Sequence, residues 1–178
     1  MLPTLETNRL ILRAPRSTDL LAFNFYAKKR TIGPNAGWAP HESINDTKMI
    51  LDLFITEKNV WTITIKPYDV MVGSLGMHNR TYDFIDGEGV HIGFVLDDTY
   101  WNKGYMTEAV QCVVDYIFKD LNFDYIMIGH ADYNIASQRV IQKCGFHFVY
   151  TEEKDNYNNT QKINVLYYKM TREEYLND

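Results

Sequence analysis

Apolar positions recur along this chain at two periods, and the switches between them divide it into elements. In Leu5 to Ala14 (LETNRLILRA), Leu10 and Leu12 share one face at a period of two, which predicts a first strand, ended by Pro15. Ser17-Thr18-Asp19 offers capping oxygens to a helix through Lys29 with Leu20, Phe23, Tyr26 and Ala27 as apolar positions. Gly33-Pro34-Asn35-Ala36-Gly37-Trp38 is rich in turn formers and reads as a loop. From about Ser43 to Glu57 the residues Ile44, Met49, Ile50, Leu53 and Phe54 return at helical spacing. Strands follow over Val60–Lys66, Val70–Asn79 and Gly89–Leu96, the first two separated by the turn Pro67-Tyr68-Asp69. A mostly apolar helix spans about Gly104 to Leu121, then a strand Tyr125–Ala131. The helix Ile135–Cys144 is closed by Gly145, the residue favoured at a left-handed position past a helix end. Phe146–Lys154 and Gln161–Met170 form a final pair around the polar stretch Asp155–Thr160.

A helix between two strands requires a parallel pair with a crossover, whereas the hairpins require antiparallel pairing. The expected fold is therefore α/β with a mixed, mainly antiparallel sheet flanked by about four helices. No repeat or Pro/Gly-rich linker divides the chain, so residues 1–178 read as one domain. With 46% hydrophobic residues in 178, a core forms without disulfide or metal staples. Cys112 and Cys144 lie in apolar helical patterns that suit buried free thiols. A net charge of −5 argues against a partner bound through phosphate neutralisation, so no nucleic acid is expected. No apolar run reaches the roughly 20 residues of a membrane helix, and the first residues lack a leader pattern. A cytoplasmic chain without a membrane partner is the expectation.

The chemistry concentrates in Val95-Leu96-Asp97-Asp98-Thr99-Tyr100-Trp101-Asn102-Lys103-Gly104-Tyr105-Met106-Thr107-Glu108-Ala109. A strand runs through a short turn straight into a helix, aiming unpaired N–H groups and a helix dipole at one spot. Gly104 admits a close backbone approach, and Lys103 adds positive charge nearby. An ordinary helix start would look the same. A second segment, Asn134-Ile135-Ala136-Ser137-Gln138-Arg139-Val140-Ile141-Gln142-Lys143-Cys144-Gly145-Phe146, follows the next strand. Together the two resemble the GNAT-type N-acetyltransferase superfamily, and within it the RimJ/RimL-like branch, whose corresponding strings run Tyr-Trp-Gly-Lys-Gly-Tyr-Ala-Thr-Glu-Ala and Asn-x-x-Ser-x-x-x-x-x-Lys-x-Gly-Phe. The opening Glu6-Thr7-Asn8-Arg9-Leu10-Ile11-Leu12-Arg13 is similar to that branch's first strand.

The resemblance implies acetyl-CoA as co-substrate, with its pyrophosphate on the backbone amides of Asn102, Lys103, Gly104, Tyr105, Met106 and Thr107. It implies a parallel pair that splays to admit the pantetheine arm, and an N–H near Val95 that polarises the thioester carbonyl. Asn134 would hydrogen-bond the pantetheine and Ser137 would lie near the sulfur. Trp101 and Met106 depart from the superfamily's general phosphate pattern; because the contacts are backbone ones, binding is expected to survive. Many relatives place a general-acid Tyr where this chain has Ile141, which leaves Ser137, a water or another tyrosine for that role.

Direct transfer needs the acceptor amine neutral, so a base or water relay must take its proton. Val90, Ile92 and Phe94 share one face of their strand, leaving His91 and Gly93 on the other. His91, where relatives often carry Glu, is the first candidate base and Glu88 the second; a hydrogen-bonded strand histidine and a loop carboxylate are the plain alternatives. Trp38 either walls the acceptor pocket or lids the core. Asn134 also reads as a simple N-cap, His41 as a cap of the second helix or a residue of the acceptor loop. His78, His130 and His147 show no metal-cage spacing, so no metal is expected. The carboxylates Asp83, Asp86, Glu88, Glu152, Glu153 and Asp155 hint at a cationic acceptor. The expected activity is acetyl transfer from acetyl-CoA to a primary amine, a protein N-terminus or a small molecule, in a ternary complex. The alternative is a non-catalytic CoA-binding sensor on the same fold. A homodimer is common in the superfamily and compatible with this chain.

Overall fold

The most continuous apolar runs become the centre of one sheet in the computed structural model, which describes residues 2–177. Eight strands, β1 (Leu5–Glu6), β2 (Leu10–Arg13), β3 (Val60–Ile65), β4 (Met71–Asn79), β5 (Gly89–Leu96), β6 (Tyr125–Ala131), β7 (His147–Asp155) and β8 (Lys162–Thr171), lie in the order β1-β2-β3-β4-β5-β6-β8-β7. Neighbours are antiparallel except β5 and β6, the parallel pair that a crossover helix requires. Among the described residues there are six α-helices: α1 (Leu20–Ala27), α2 (Gly33–Ala36), α3 (Ile44–Glu57), α4 (Tyr105–Lys119), α5 (Ile135–Lys143) and α6 (Arg172–Asn177). The expectation of about four missed α6 and the single turn α2, which Pro34 starts and Gly37 at φ 87° ends.

Side-chain alternation sorts the two faces. Val72 packs with α4, whose Met106, Ala109, Val110, Val113, Val114, Ile117 and Phe118 form one buried stripe over Leu10, Trp61, Ile92 and Ile128. The adjacent Met71 packs on the opposite face with Phe23 and Tyr26 of α1 and Leu51 of α3. Ser43 caps α3 through a reciprocal box: its hydroxyl accepts from the Asp46 N–H at 3.2 Å, and the Asp46 carboxylate accepts from the Ser43 N–H at 2.8 Å.

Two sequence expectations change. Leu5–Ala14 is not one strand but folds back on itself, pairing Leu5 with Leu12 and Glu6 with Ile11. Thr7 makes that turn, its N–H donating to the Leu10 carbonyl at 3.0 Å and its hydroxyl accepting from the Leu10 N–H at 2.9 Å. Asp19 is not a plain helix cap; its buried carboxylate accepts from Arg13 at 2.7 and 2.9 Å, a charge pair that burial makes obligatory. Ser17–Asp19 is accordingly a 3-10 turn leading into α1.

The feature that positions the site is where one ladder stops. β5 and β6 pair from Gly89 with Tyr125 to Ile92 with Ile128, and no further. Gly89 has to be glycine there, because a Cβ would run into the Tyr125 ring. Beyond Ile92, β5 stays with β4 as far as Leu96, while β6 stays with β8 as far as Ala131. A gap opens between them.

Candidate active site

At the mouth of the gap, the chain leaves β5 through a 3-10 turn, Asp98–Tyr100, and enters α4. Asn102 at φ 59° and Gly104 at φ 79° are both left-handed, a conformation that turns successive N–H groups to one side. Glu108 is the first residue of α4 whose N–H finds a helical acceptor, the Gly104 carbonyl at 3.1 Å. The N–H groups of residues 102 to 107 donate to nothing among the described residues. Six amides at the positive end of a 15-residue helix make an anion cradle.

The cradle is braced from two sides. Glu108 reaches the β1–β2 turn, where it accepts from the Thr7 hydroxyl at 2.5 Å, the Arg9 N–H at 2.9 Å and Arg9 Nε at 2.6 Å. Arg9 continues to the Lys103 carbonyl at 2.9 Å and lies over the Tyr105 ring at 4.5 Å. On the other side, Lys29 donates to Asp97 at 2.5 Å and Asp98 at 2.7 Å, and its hydrogen bond holds the Asp98 carboxyl down at about 2. The opening string Glu6–Arg13 therefore buttresses the turn that leads into α4. Replacing Arg9 with alanine is expected to weaken acetyl-CoA binding roughly 5-fold in calorimetry, and unchanged affinity would show that the loop holds its shape unaided.

Two cavities meet at the gap. The first, about 200 Å³, is lined by Val95, Asn102, Gly104, Tyr105, Met106, Thr107, Asn134 and Ser137, the residues expected to hold the co-substrate except Lys103. The second, about 440 Å³, contains Trp38, His91, Gly93 and Glu57 and shares Val95, Asn134 and Ser137 with the first. Trp38 both lines it and packs on Gly33 and the His41 ring, centroids 5.1 Å apart.

Several residues sit differently from expectation. Lys103 does not line the first cavity; its ammonium donates back to the Thr99 carbonyl at 3.1 Å. The cations there are Arg139 and Lys143 of α5, four residues apart on the face that also presents Ala136 and Val140, a spacing that could have been read in the sequence. Glu88 lines neither cavity, because it precedes the hydrogen-bonded end of β5, where its N–H donates to Asp124 at 2.7 Å. The other carboxylates of the acidic hint are also absent from both linings, and Glu152 and Asp155 pair with Lys154 and Lys162. Glu57 is the carboxylate on the wall of the second cavity.

Backbone alternation also corrects the donor expected near Val95. Arg80 donates to the Gly89 carbonyl and Asp97 to the Val72 carbonyl, so the odd-numbered N–H groups of β5 point at β4. Val95 is directed at Ser74, and the groups facing the gap beyond the last β5–β6 rung are the N–H of Phe94 and of Leu96.

Asn134 is an N-cap as well as a cavity residue: Oδ1 accepts from the Ser137 N–H at 3.0 Å, and Nδ2 donates to the Asn35 carbonyl at 2.8 Å. The adjacent Tyr133 hydroxyl donates to the Pro34 carbonyl at 2.9 Å, so α2 is tied across the gap by two bonds. The Ser137 hydroxyl has no protein partner among the described residues. Ile141 is fully buried under α5, in the core rather than the site. His91 is held by Tyr82, and burial, followed by Arg80, His78 and Lys154, pushes its imidazole down to about 4. Cys112 and Cys144 are free, and burial pushes the Cys144 thiol up to about 12, far from a nucleophile's range. Among the described residues no His, Cys, Asp and Glu cluster could hold a metal ion, and no helix is long and apolar enough to cross a membrane.

Residues 9–147 match the Acetyltransferase (GNAT) domain family, and the chain belongs to it. It is an enzyme of the N-acetyltransferase class. The probable N-acetyltransferase YjcK of Bacillus subtilis is 48% identical over 56 residues, 32% of this chain and 31% of that one, so the match spans under a third of that relative. The uncharacterized N-acetyltransferase p20 of Bacillus licheniformis is 28% identical over 150 residues, covering 80% of this chain and 82% of p20. The fold matches a GNAT-family acetyltransferase from Bacillus anthracis with a TM-score of 0.86 at 22% identity, over 97% of this chain and all of the other.

Proposed function

We propose that this chain transfers an acetyl group from acetyl-CoA directly to a primary amine, within the RimJ/RimL-like branch. The carrying observation is the row of six unengaged N–H groups, 102 to 107, opening on the same cavity as the β5–β6 gap. The residues present fit the co-substrate: a cradle for phosphates, two cations on α5, and at Gly93 a position where a Cβ would meet nothing within 4 Å.

Acetyl-CoA supplies an activated thioester when bound. The α4 N-terminus and the cations Arg139 and Lys143 hold its phosphates. The N–H groups of Phe94 and Leu96, aimed into the gap, stabilise the negative charge that acyl transfer develops on oxygen. Ser137, a free hydroxyl where the two cavities join, is placed to donate a hydrogen bond to the departing sulfur and relay to it the second proton that the attacking nitrogen gives up, with Ile141 unable to do so. The acceptor, a small-molecule or peptide amine, occupies the second cavity, where water and the Glu57 carboxylate take the proton that an ammonium must lose. The setting is the cytoplasm, with the chain acting alone or as a homodimer.

The test is calorimetric binding of acetyl-CoA and CoA, with ATP and NAD as controls, followed by thiol release with a panel of amines. Micromolar acetyl-CoA binding and amine-dependent thiol release are expected. Binding without release from any amine would favour a sensor, and no binding to either CoA species would sink the reading.

A further inference from the structure

His91 stands two residues before Gly93 on β5, on the same face of the strand, and lines the second cavity. Its Nδ1 lies 2.7 Å from the Tyr82 hydroxyl. Tyr82 is buried, and among the described residues that hydroxyl has no other partner. Burial pushes the phenol up to about 12, so it keeps its proton, and with no other partner for that proton among the described residues the pairing that satisfies it has the phenol donating to Nδ1. A neutral imidazole with an accepting Nδ1 carries its single proton on Nε2.

Tyr82 is itself fixed. Its N–H donates to the Tyr125 hydroxyl at 3.0 Å, its ring packs on Phe84 with centroids 5.6 Å apart, and the Arg80 guanidinium lies 4.8 Å over it. Among the described residues Nε2 has no protein partner, yet it is not one of the buried polar atoms left without one. It therefore opens on the cavity that His91 lines.

We propose that His91, locked by Tyr82, is a neutral hydrogen-bond donor that grips an uncharged oxygen of the acceptor and so selects which amines are taken, rather than the base that deprotonates them. The proposal rests on the acetyltransferase reading of the two cavities. The groups facing the imidazole agree with it: Arg80 from the end of β4, His78 from β4, Lys154 from β7, and the phenols of Tyr82 and of Tyr167 from β8. None of these is a carboxylate, so none of them supports an imidazolium. Arg80 and Lys154 also disfavour a polycation. The favoured class is an amine with a carbonyl or hydroxyl oxygen near it, such as an amino amide, over an alkylamine or a polyamine.

The test combines nitrogen-15 NMR of the histidines, with His91 assigned by its loss in His91→Gln, and kinetics on alaninamide, isopropylamine and spermidine. The expected spectrum shows the Nε2–H tautomer of a neutral ring from pH 5.5 to 8, and a mixture of tautomers in Tyr82→Phe. His91→Ala is expected to raise KM for alaninamide roughly 10-fold with kcat little changed, while His91→Gln, whose amide N–H stands near Nε2, recovers most of that loss. Three results would overturn the proposal: an Nδ1–H tautomer, Gln and Ala variants losing kcat equally by about 100-fold with loss of the acidic limb of the pH profile, or a preference for spermidine. Calorimetry on the same samples separates the two levels. Absence of acetyl-CoA binding overturns both readings, whereas binding with the wrong tautomer overturns this one alone.

Discussion

Gly93→Leu is expected to leave the fold intact and cut acetyl transfer at least roughly 100-fold, about 2.7 kcal/mol of transition-state stabilisation. Gly93 follows the last rung of the β5–β6 ladder and opposes Gly76 across β4 and β5. It lines the second cavity, and a Cβ built there meets nothing within 4 Å, so a side chain can start from this position without a clash and extend into the cavity. A strand glycine costs about 0.5–1 kcal/mol relative to alanine, which makes the melting temperature of the variant equal to or slightly above that of the parent. The leucine side chain would instead stand where acceptor and thioester have to meet. Acetyl-CoA binding, anchored at the α4 cradle, should weaken less than turnover. Normal turnover in a variant that melts normally would show that the second cavity is not the acceptor's route.

Gly104→Val acts on the other half of the site. At φ 79° a valine is strained by about 1–2 kcal/mol. Its Cβ would also come within 3.3 Å of Arg9 Nη2, the side chain that ties the loop to β1–β2 and α4. The new branches crowd the N–H groups that should face the phosphates, so the dissociation constant for acetyl-CoA is expected to rise at least roughly 100-fold. The strain lowers the melting temperature by about 2–8 °C for a domain of this size. Asn102→Gly keeps the same left-handed turn without a side chain and serves as the control, with affinity near that of the parent. Calorimetry beside a thermal melt separates the effects: a destabilised Gly104→Val protein that still bound acetyl-CoA normally would remove the cradle from the mechanism. The two variants together divide the site, with Gly104 expected to govern binding and Gly93 transfer.

Much of this architecture was legible because it depends on local chemistry. A period of two or of 3.6 reports which face is buried, so β3 to β8, α3, α4 and α5 lie where the pattern puts them, within a residue or two at their ends. The turn into α4 was legible for the same reason: a glycine before an apolar helix displays free N–H groups whatever the rest of the chain does. The Leu5–Ala14 stretch misled because its alternation is real, but the Thr7 hydroxyl and Glu108, 101 residues away, bend it. The turn α2 was hidden in a run of Gly, Pro and Asn and is tied down by Tyr133 and Asn134 from the far side of the gap.

The sequence alone determined the mixed sheet, the crossover around α4, the anion cradle and the pairing of two motifs that belongs to the GNAT family, because each follows from neighbours along the chain. Tertiary structure decided which groups face the gap and the second cavity. Only the phase of the β4–β5 hydrogen bonds turns Phe94 and Leu96, not Val95, toward the gap. Only the packing of Tyr82 and burial beside Arg80, His78 and Lys154 lower the basicity of His91 and bring a phenol to its Nδ1. The physical reason is the same in both cases. Direction of an N–H and protonation of a ring are set by groups brought near in space, and no spacing along the chain records them.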